Sequence, residues 1–551
     1  MRLRGLTFAV CCSIPGLLIL ETGADAAAEG APGPATVTVA VNPSIRHPIS
    51  PYIYGINNAS AIDSLPAALT LDRAGGNRST AYNWETNASN AGRDYLYQND
   101  GSASSSREPG AAVIALIAAD QKLGMASIET VQMQGLVAGD TNGPVSVANP
   151  PDMARFKRVV SEKRTVSSAP FTVTPPVTDD YVYMDEFVWA LDHKFKGQNI
   201  FSPRPSTQHV FISLDNEPEL WNSTHLEIQG KAGITADSYI AKTISLTSAL
   251  KKQFPELVIF GPVDFGFIGI YNWSGELHAT PSGNNWFADK YLTAMRTASA
   301  AFGRPLVDVY DFHWYPEATD GSGKRVTGLT GPTLTDDQVQ AIVQSPRSLW
   351  DRTYRENSWI TNDVIGQPIY ILDRLQSRID AENPGMRLAI TEYDNGGGQH
   401  IAGTIAQADN LGIFGAHGLF AACLWPLTPK EPYTLAGFRA FRDFDGANHH
   451  FGDTSIQAAS SNPAEVSAYV STDSTRGGRV VMVAINRSPT EQVTMITGQP
   501  LSGTAHIYRI TAASAAKQTV IRPVAAGVQP ASGTSITLVL PALSVSTVDI
   551  Y

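Results

Sequence analysis

Cysteine is almost missing from this chain: 551 residues carry three, and Cys11 and Cys12 both lie within the first 26. Cys423 alone lies beyond them, so the body of the chain forms no internal disulfide, and a disulfide-stapled scaffold is excluded. Stability must come from the size of the core or from a metal ion. Charge is scarce as well. Charged residues make up 17%, against about 25% in an average soluble protein, so uncharged polar groups must cover much of the surface. The net charge of −11 repels phosphates and excludes nucleic acid as a partner.

Several catalytic signatures are also missing. The chain has no G-x-S-x-G elbow, no G-x-x-x-x-G-K-[ST] phosphate loop and no H-E-x-x-H zinc helix. The run Gly396-Gly397-Gly398 lacks the later glycine of a dinucleotide fingerprint and reads as a flexible loop. Serine, zinc and nucleotide-linked hydrolysis have no foothold, which leaves carboxylates. No repeat of 20 to 50 residues and no extended low-complexity tract is present.

Arg2 and Arg4 precede an apolar run from Leu6 to Leu20 and then Ala24-Asp25-Ala26, the pattern of a secretory signal peptide cleaved near Ala26. The alternative, a membrane anchor, needs about 20 uninterrupted apolar residues, and Ser13, Pro15 and Gly16 interrupt this run. The expected product is therefore secreted, extracellular or periplasmic, with no membrane contact after cleavage, and monomeric. Residues 27–50 read as a Gly/Ala/Pro linker followed by a strand over 35–41, "ATVTVAV". Over 51–450 short apolar runs ending in polar residues alternate with helix-like stretches, which predicts repeated β/α units in a large catalytic domain. Over 451–551 strands follow one another without helices, as in a β-sandwich.

Two carboxylates stand out. In "FISLDNEPELW" a buried-strand pattern ends at Glu217, and Pro218 stops further pairing. In "RLAITEYDNGG" Glu392 again ends a strand-like run, just before glycines. In a (β/α)8 barrel the C-terminal strand ends converge on one face, so two acids far apart in sequence would meet there. Two carboxylates facing one bond are the machinery of glycoside hydrolysis, one to protonate the leaving oxygen and one to act as nucleophile or base. Burial and mutual repulsion must raise one pKa and leave the other group ionised. Asn216 offers an amide for a sugar hydroxyl, and Tyr393 is placed to steady the carboxylate beside it.

Each residue also has a plainer reading. An isolated glutamate at a strand end is more often a solvated rim residue, and His313 in the polar cluster Asp311, His313, Tyr315 and Glu317 is more often structural. Trp84, Trp221, Trp314 and Trp425 lie near the strand ends, where their rings either stack on sugars or fill the core.

Five blocks in order, "GGNRSTAYNWETNASNAG" (75–92), "LDNEPELW" (214–221), "DFHWYPEA" (311–318), "SWI" (358–360) and "TEYDNGGGQHIAGTIAQADNLGIFG" (391–415), resemble glycoside hydrolase family 44. The resemblance continues through "FGDTS" (451–455) and, more weakly, into the final strands. It implies an α/β fold: a (β/α)8 TIM barrel with an accessory β-sandwich domain formed by the N- and C-terminal segments. It also implies a retaining endo-β-1,4-glucanase, commonly with xyloglucan activity, acting on soluble β-glucan polysaccharide. Glu217 matches the family's acid/base after the fourth barrel strand and Glu392 its nucleophile on the seventh. Asn216, His313, Tyr315 and Tyr393 are implied as support, and Arg73, Asn77, Trp84 and Trp425 as substrate contacts. Pro426 after Trp425 departs from the pattern near the eighth strand.

No cofactor is expected for catalysis. Members of the family can carry a structural calcium, and the run Asp179, Asp180, Asp185 and Glu186 is a place to look for one, but a solvated acidic face explains that run equally well and no metal ligand is assigned. Two other readings stay open: a related barrel enzyme acting on mannan or xylan, and a carbohydrate-binding protein without catalysis.

Overall fold

The computed structural model describes residues 35–66, 68–148, 150–196, 198–202, 209–275 and 285–551. The predicted signal peptide, with Cys11 and Cys12, lies outside the described residues. No helix among the described residues is long and apolar enough to cross a membrane.

Eight parallel strands close into a barrel: Gly55–Asn57, Leu71–Ala74, Ala126–Val131, Val210–Leu214, Ile259–Asp264, Val309–Trp314, Arg387–Tyr393 and Ala421–Leu424, called here the first to eighth barrel strands. The fourth to eighth are largely short apolar runs because a parallel strand in a barrel is covered on both faces, by the interior and by the helices outside, whereas the first three carry buried polar residues such as Asn57, Asp72, Arg73 and Glu129. Leu71, Ile128, Phe211, Phe260, Val309, Ala389 and Cys423 fill the floor of the barrel. The helices have recognisable local origins. Thr235 accepts from the amide of Ser238 and caps Ala236–Gln253, and Thr335 with Gln338 forms a capping box at Asp336–Gln344.

The sixth and seventh strands pair with a shift: Phe312 lies opposite Ile390, but His313 lies opposite Glu392. The seventh strand thus carries one extra residue, Thr391, whose hydroxyl donates to Asp311 at 2.8 Å. A bulge of this kind reverses the in-and-out alternation of side chains. Ala389 faces the interior with the floor residues and Ile390 the helix layer. Counting strictly onward, Glu392 would point outward and Tyr393 inward; the extra residue exchanges them.

The C-terminal segment forms a seven-stranded sheet that includes Val37–Pro48 from the N-terminus. This strand pairs antiparallel with Thr454–Ser460 and parallel with Gln492–Ile510, so the sheet folds back over its own core of Val39, Val470, Met482, Leu538 and neighbours. Its outer face, with Val481, Val483 and Ile485, joins the main core. At this contact Arg487 pairs with Asp409 at 2.5 Å, both fully buried, and Asp409 also accepts from Ser467 and Tyr469. The ion pair ties a barrel helix, Ile401–Ala416, to the sheet.

Candidate active site

The C-terminal strand ends bring together residues from across the sequence. Beyond the fourth strand, Asp215 and Glu217 adopt left-handed backbone angles (φ 62° and 41°). The carboxylate of Asp215 holds this turn by accepting the amides of Met133, Gln134 and Asn216 at 2.6, 3.0 and 2.9 Å. Such geometry is costly for non-glycine residues and persists where the surroundings impose it.

Glu217 and Glu392 face each other. One carboxylate oxygen from each and a ring nitrogen of His313 all lie within 4.8 Å of one another. His313 Nδ1 is 2.9 Å from Glu217 Oε1 and 3.5 Å from Glu392 Oε2. The Arg73 guanidinium donates to Glu392 Oε1 at 2.7 Å, and the Tyr315 hydroxyl donates to Glu392 Oε2 at 2.9 Å. Arg73 is fully buried and also donates to Asn57 at 3.1 Å and Asn216 at 2.9 Å. One guanidinium thus links the first, second and seventh strands with the turn after the fourth, and its planar fork suits several acceptors at once.

The two glutamates have different surroundings. Glu392 accepts from a fixed cation and a hydroxyl. Glu217 is pushed up to about 7 by burial, opposed by Arg73 and reinforced by the charge of Asp94. Burial pushes His313 down to about 3, so its imidazole is neutral at ordinary pH. Burial also pushes Asp311 up to about 7, against Arg73 and the Thr391 hydrogen bonds. One carboxyl raised toward neutrality, facing one that accepts from a guanidinium and a phenol, is an arrangement suited to acid-and-nucleophile chemistry.

Of the other residues singled out from sequence, Asn216 donates to Asn77 Oδ1 at 3.3 Å, and Asn77 in turn donates to Asp94 at 2.7 Å. Trp425 is half-buried and lies over Gly76, where a side chain would come within 2.7 Å of its ring. The amide of Gly76 donates to Asn216 Oδ1 at 3.2 Å, so glycine is needed there for close approach. Two expectations need correction. Trp84 is 1% exposed and stacks on Phe187 at 5.4 Å in the core, with no face left for a sugar. Tyr393 points into the helix layer against Phe414, its hydroxyl accepting from Gln407 at 2.8 Å, so the hydroxyl on Glu392 comes from Tyr315 instead. Trp221 is also core, its indole N–H donating to the Asn216 carbonyl at 3.1 Å.

Sequence reasoning missed Asn57, whose amide donates to the carbonyls of Thr391, Cys423 and Leu424. It stands at a strand end like the two glutamates, which is the signal that would have found it. Beside Glu217 a cavity of about 360 Å³ is lined by Phe265, Phe267, Trp314, Trp359 and Leu427, an apolar, aromatic surface suited to sugar rings.

A sequence model of glycoside hydrolase family 44 matches residues 88–318. Endoglucanase A of Paenibacillus lautus is 38% identical over 465 residues, which is 82% of this chain and 64% of that protein. A family 44 endoglucanase structure from Clostridium thermocellum superposes with a TM-score of 0.83 at 35% identity, covering 94% of this chain and 99% of that one. The chain belongs to glycoside hydrolase family 44. A second family 44 structure, a Paenibacillus polymyxa xyloglucanase with xyloglucan, matches with a TM-score of 0.83 at 34% identity, over 93% of this chain and 99% of that one.

The calcium expected from family 44 meets a mixed fit. Asp180 is exposed, Asp185 accepts the amides of Lys163 and Glu186, and one oxygen of Glu186 takes the Lys163 ammonium at 2.6 Å. Left without a hydrogen bond are both oxygens of Glu85, Oδ1 of Asp179 and Oε2 of Glu186. The Lys157 ammonium lies 3.6 Å from Glu85 and 3.8 Å from Asp179. Burial pushes Glu85 up to about 8, with Asp179 and Glu186 adding to the rise. The Lys157 ammonium already stands beside two of these acids, and among the described residues only Glu217, His313 and Glu392 bring ligand atoms within 4.8 Å of one another, so the predicted run is not gathered as a cation site.

Proposed function

We propose that this chain is a secreted, retaining, endo-acting glycoside hydrolase that cleaves β-1,4-glucosidic bonds in soluble β-glucans such as xyloglucan and carboxymethylcellulose. The observation that carries this reading is the approach of Glu217 and Glu392 to within 4.8 Å, each in an environment suited to a different charge state. Carboxyl groups about 5 to 5.5 Å apart belong to double displacement, whereas about 6.5 to 9.5 Å leaves room for the water of an inverting reaction. In the first step Glu217 gives its proton to the glycosidic oxygen as the bond breaks, while Glu392 attacks the anomeric carbon and forms a glycosyl ester. Glu217, now ionised, then takes a proton from water, which attacks the same carbon and releases Glu392. Arg73 and Tyr315 hold Glu392 in line and balance its charge before attack. Neutral His313 sits between the two acids without adding a charge. The aromatic cavity beside Glu217 receives the sugar on the leaving side.

The P. lautus relative is named an endoglucanase and the P. polymyxa relative a xyloglucanase, which supports β-glucan as a substrate; other relatives are named a β-mannanase/endoglucanase and a bifunctional glucanase-xylanase, so mannan and xylan belong in the same assay. A structural calcium, where one binds, stands outside the reaction, and no ligand set is assigned to it.

The test uses Glu217→Gln and Glu392→Gln on xyloglucan and carboxymethylcellulose, with NMR of the first anomer released by the unsubstituted enzyme. Both variants should lose at least a thousandfold in kcat, and the first product should be the β-anomer. Undiminished hydrolysis by either variant, or release of the α-anomer, overturns the mechanism.

A further inference from the structure

Two residues beyond Glu392 stands a further acid, Asp394, which takes no part in the proposed chemistry and is 1% exposed. It meets Glu431, 2% exposed, on the loop between the eighth barrel strand and the helix Pro432–Arg442. One oxygen of each acid is bound locally: Asp394 Oδ1 accepts from the Gly396 amide at 2.6 Å, and Glu431 Oε1 from the Thr428 amide at 2.9 Å. The other two oxygens, Asp394 Oδ2 and Glu431 Oε2, are buried with no amide or hydroxyl donating to them. The two side chains are instead hydrogen-bonded to each other. Two ionised carboxylates have no hydrogen to share, so this bond requires one acid to keep its proton. Burial and the charge of Glu431 push Asp394 well above the ordinary carboxylate range, which makes Asp394 the donor. Burial raises Glu431 as well, against the bond from Asp394; the Thr434 hydroxyl and Leu427 amide oppose that rise in lesser measure.

This bond joins two walls of the cleft. Asp394 follows directly on the strand that carries Glu392. The loop of Glu431 begins at Trp425, whose ring lies over Gly76, and includes Leu427, part of the aromatic cavity beside Glu217. The two loops pass so closely that a side chain at Gly398 would meet Glu431 Cγ at 2.6 Å, and the Tyr433 amide donates to the Gly398 carbonyl at 3.1 Å. Acids are costly to bury, and packed apolar residues would join the loops without that cost. What the acids add is direction, because a hydrogen bond fixes angle and spacing where apolar contact does not.

We infer that Asp394 and Glu431 are positioning residues: the proton held between them fixes the loop of Trp425 and Leu427 against the strand of Glu392, so that a bound sugar is aligned with the nucleophile. The inference rests on the proposed glucanase reading and deepens it, because alignment then depends on a bond that is lost when the proton leaves and two negative charges face each other.

The experiment measures the Kd of a xyloglucan oligosaccharide by calorimetry between about pH 6 and about pH 10 in three proteins: Glu217→Gln, Glu217→Gln/Glu431→Gln and Glu217→Gln/Glu431→Ala. The Glu217→Gln background halts turnover and removes the titration of Glu217. In Glu431→Gln the amide donates to Asp394 and has no proton to lose. At the acid end Glu431→Ala should weaken binding about tenfold and Glu431→Gln by less than about twofold. Toward the alkaline end Kd should rise about fivefold with Glu431 present and stay flat with Glu431→Gln. Asp311 titrates alike in all three proteins, and the buried phenols of Tyr315 and Tyr393 are raised and stay protonated, so none of them makes the difference. Equal pH dependence with and without Glu431→Gln overturns the inference, even where melting temperatures differ, since that result marks a structural role only. An unchanged Kd in a folded Glu431→Ala protein overturns it as well. Both outcomes leave the glucanase reading intact, whereas absence of β-glucan hydrolysis by the unsubstituted enzyme overturns both.

Discussion

Arg73 and Glu392, 319 residues apart, meet in the barrel mouth at 2.7 Å with the guanidinium fully buried. The same guanidinium reaches Asn57 and Asn216, so the orientation of the proposed nucleophile is coupled to the turn that carries the proposed acid. A point charge on a flexible stem cannot serve three acceptors in a plane. Arg73→Lys should therefore lower kcat/KM on xyloglucan about a hundredfold, and far-ultraviolet circular dichroism should show the fold retained.

The two tyrosines near Glu392 separate by role. Tyr315→Phe removes the hydroxyl that donates to Glu392 Oε2 at 2.9 Å and should lower kcat about tenfold, with KM little changed. Tyr393→Phe removes a bond to Gln407 in the helix layer, so kcat should stay within twofold while stability falls by about 1 kcal/mol. Steady-state kinetics and denaturant titration on both variants check the contrast.

The pH dependence follows from Glu217. Its carboxyl is raised to about 7 and must be protonated to act, so kcat/KM should fall as pH rises through about 7. The negative charge of Asp94 contributes to the rise, and removing that charge lowers the proton affinity. Asp94→Asn should therefore move the alkaline limb to lower pH by a few tenths of a unit. A pH–rate profile with an unmoved or upward-shifted limb would refute this assignment.

The contact between barrel and sheet depends on a fully buried pair, Asp409 with Arg487. Removing one partner strands the other charge in the interior, at a cost of about 3 to 5 kcal/mol. Asp409→Ala should show a marked drop in melting temperature, and Asp409→Ala/Arg487→Met should recover part of it. Calorimetry on the two variants measures the coupling.

Much of this protein follows from local pattern. The apolar runs of the fourth to seventh barrel strands, the helix-like stretches between them and the change of texture after residue 451 are consequences of burial on two faces or on one, and periodicity reports them directly. Glu217 and Glu392 were legible as acids that end strand-like runs, which places them at the C-terminal face of the barrel without saying which way either side chain points.

What local pattern does not carry is where a side chain points and what meets it. Tyr393 and Glu392 exchange faces because Thr391 is an extra residue between the pairs Phe312–Ile390 and His313–Glu392, and that pairing belongs to two strands, not to one segment. Trp84 is core because Phe187, far along the chain, lies flat against it. Arg73 orients Glu392 only once the barrel has closed. Composition and periodicity determine which elements form and which faces are buried; register, bulges and charge pairing across strands are long-range matters of packing, decided by the tertiary structure alone.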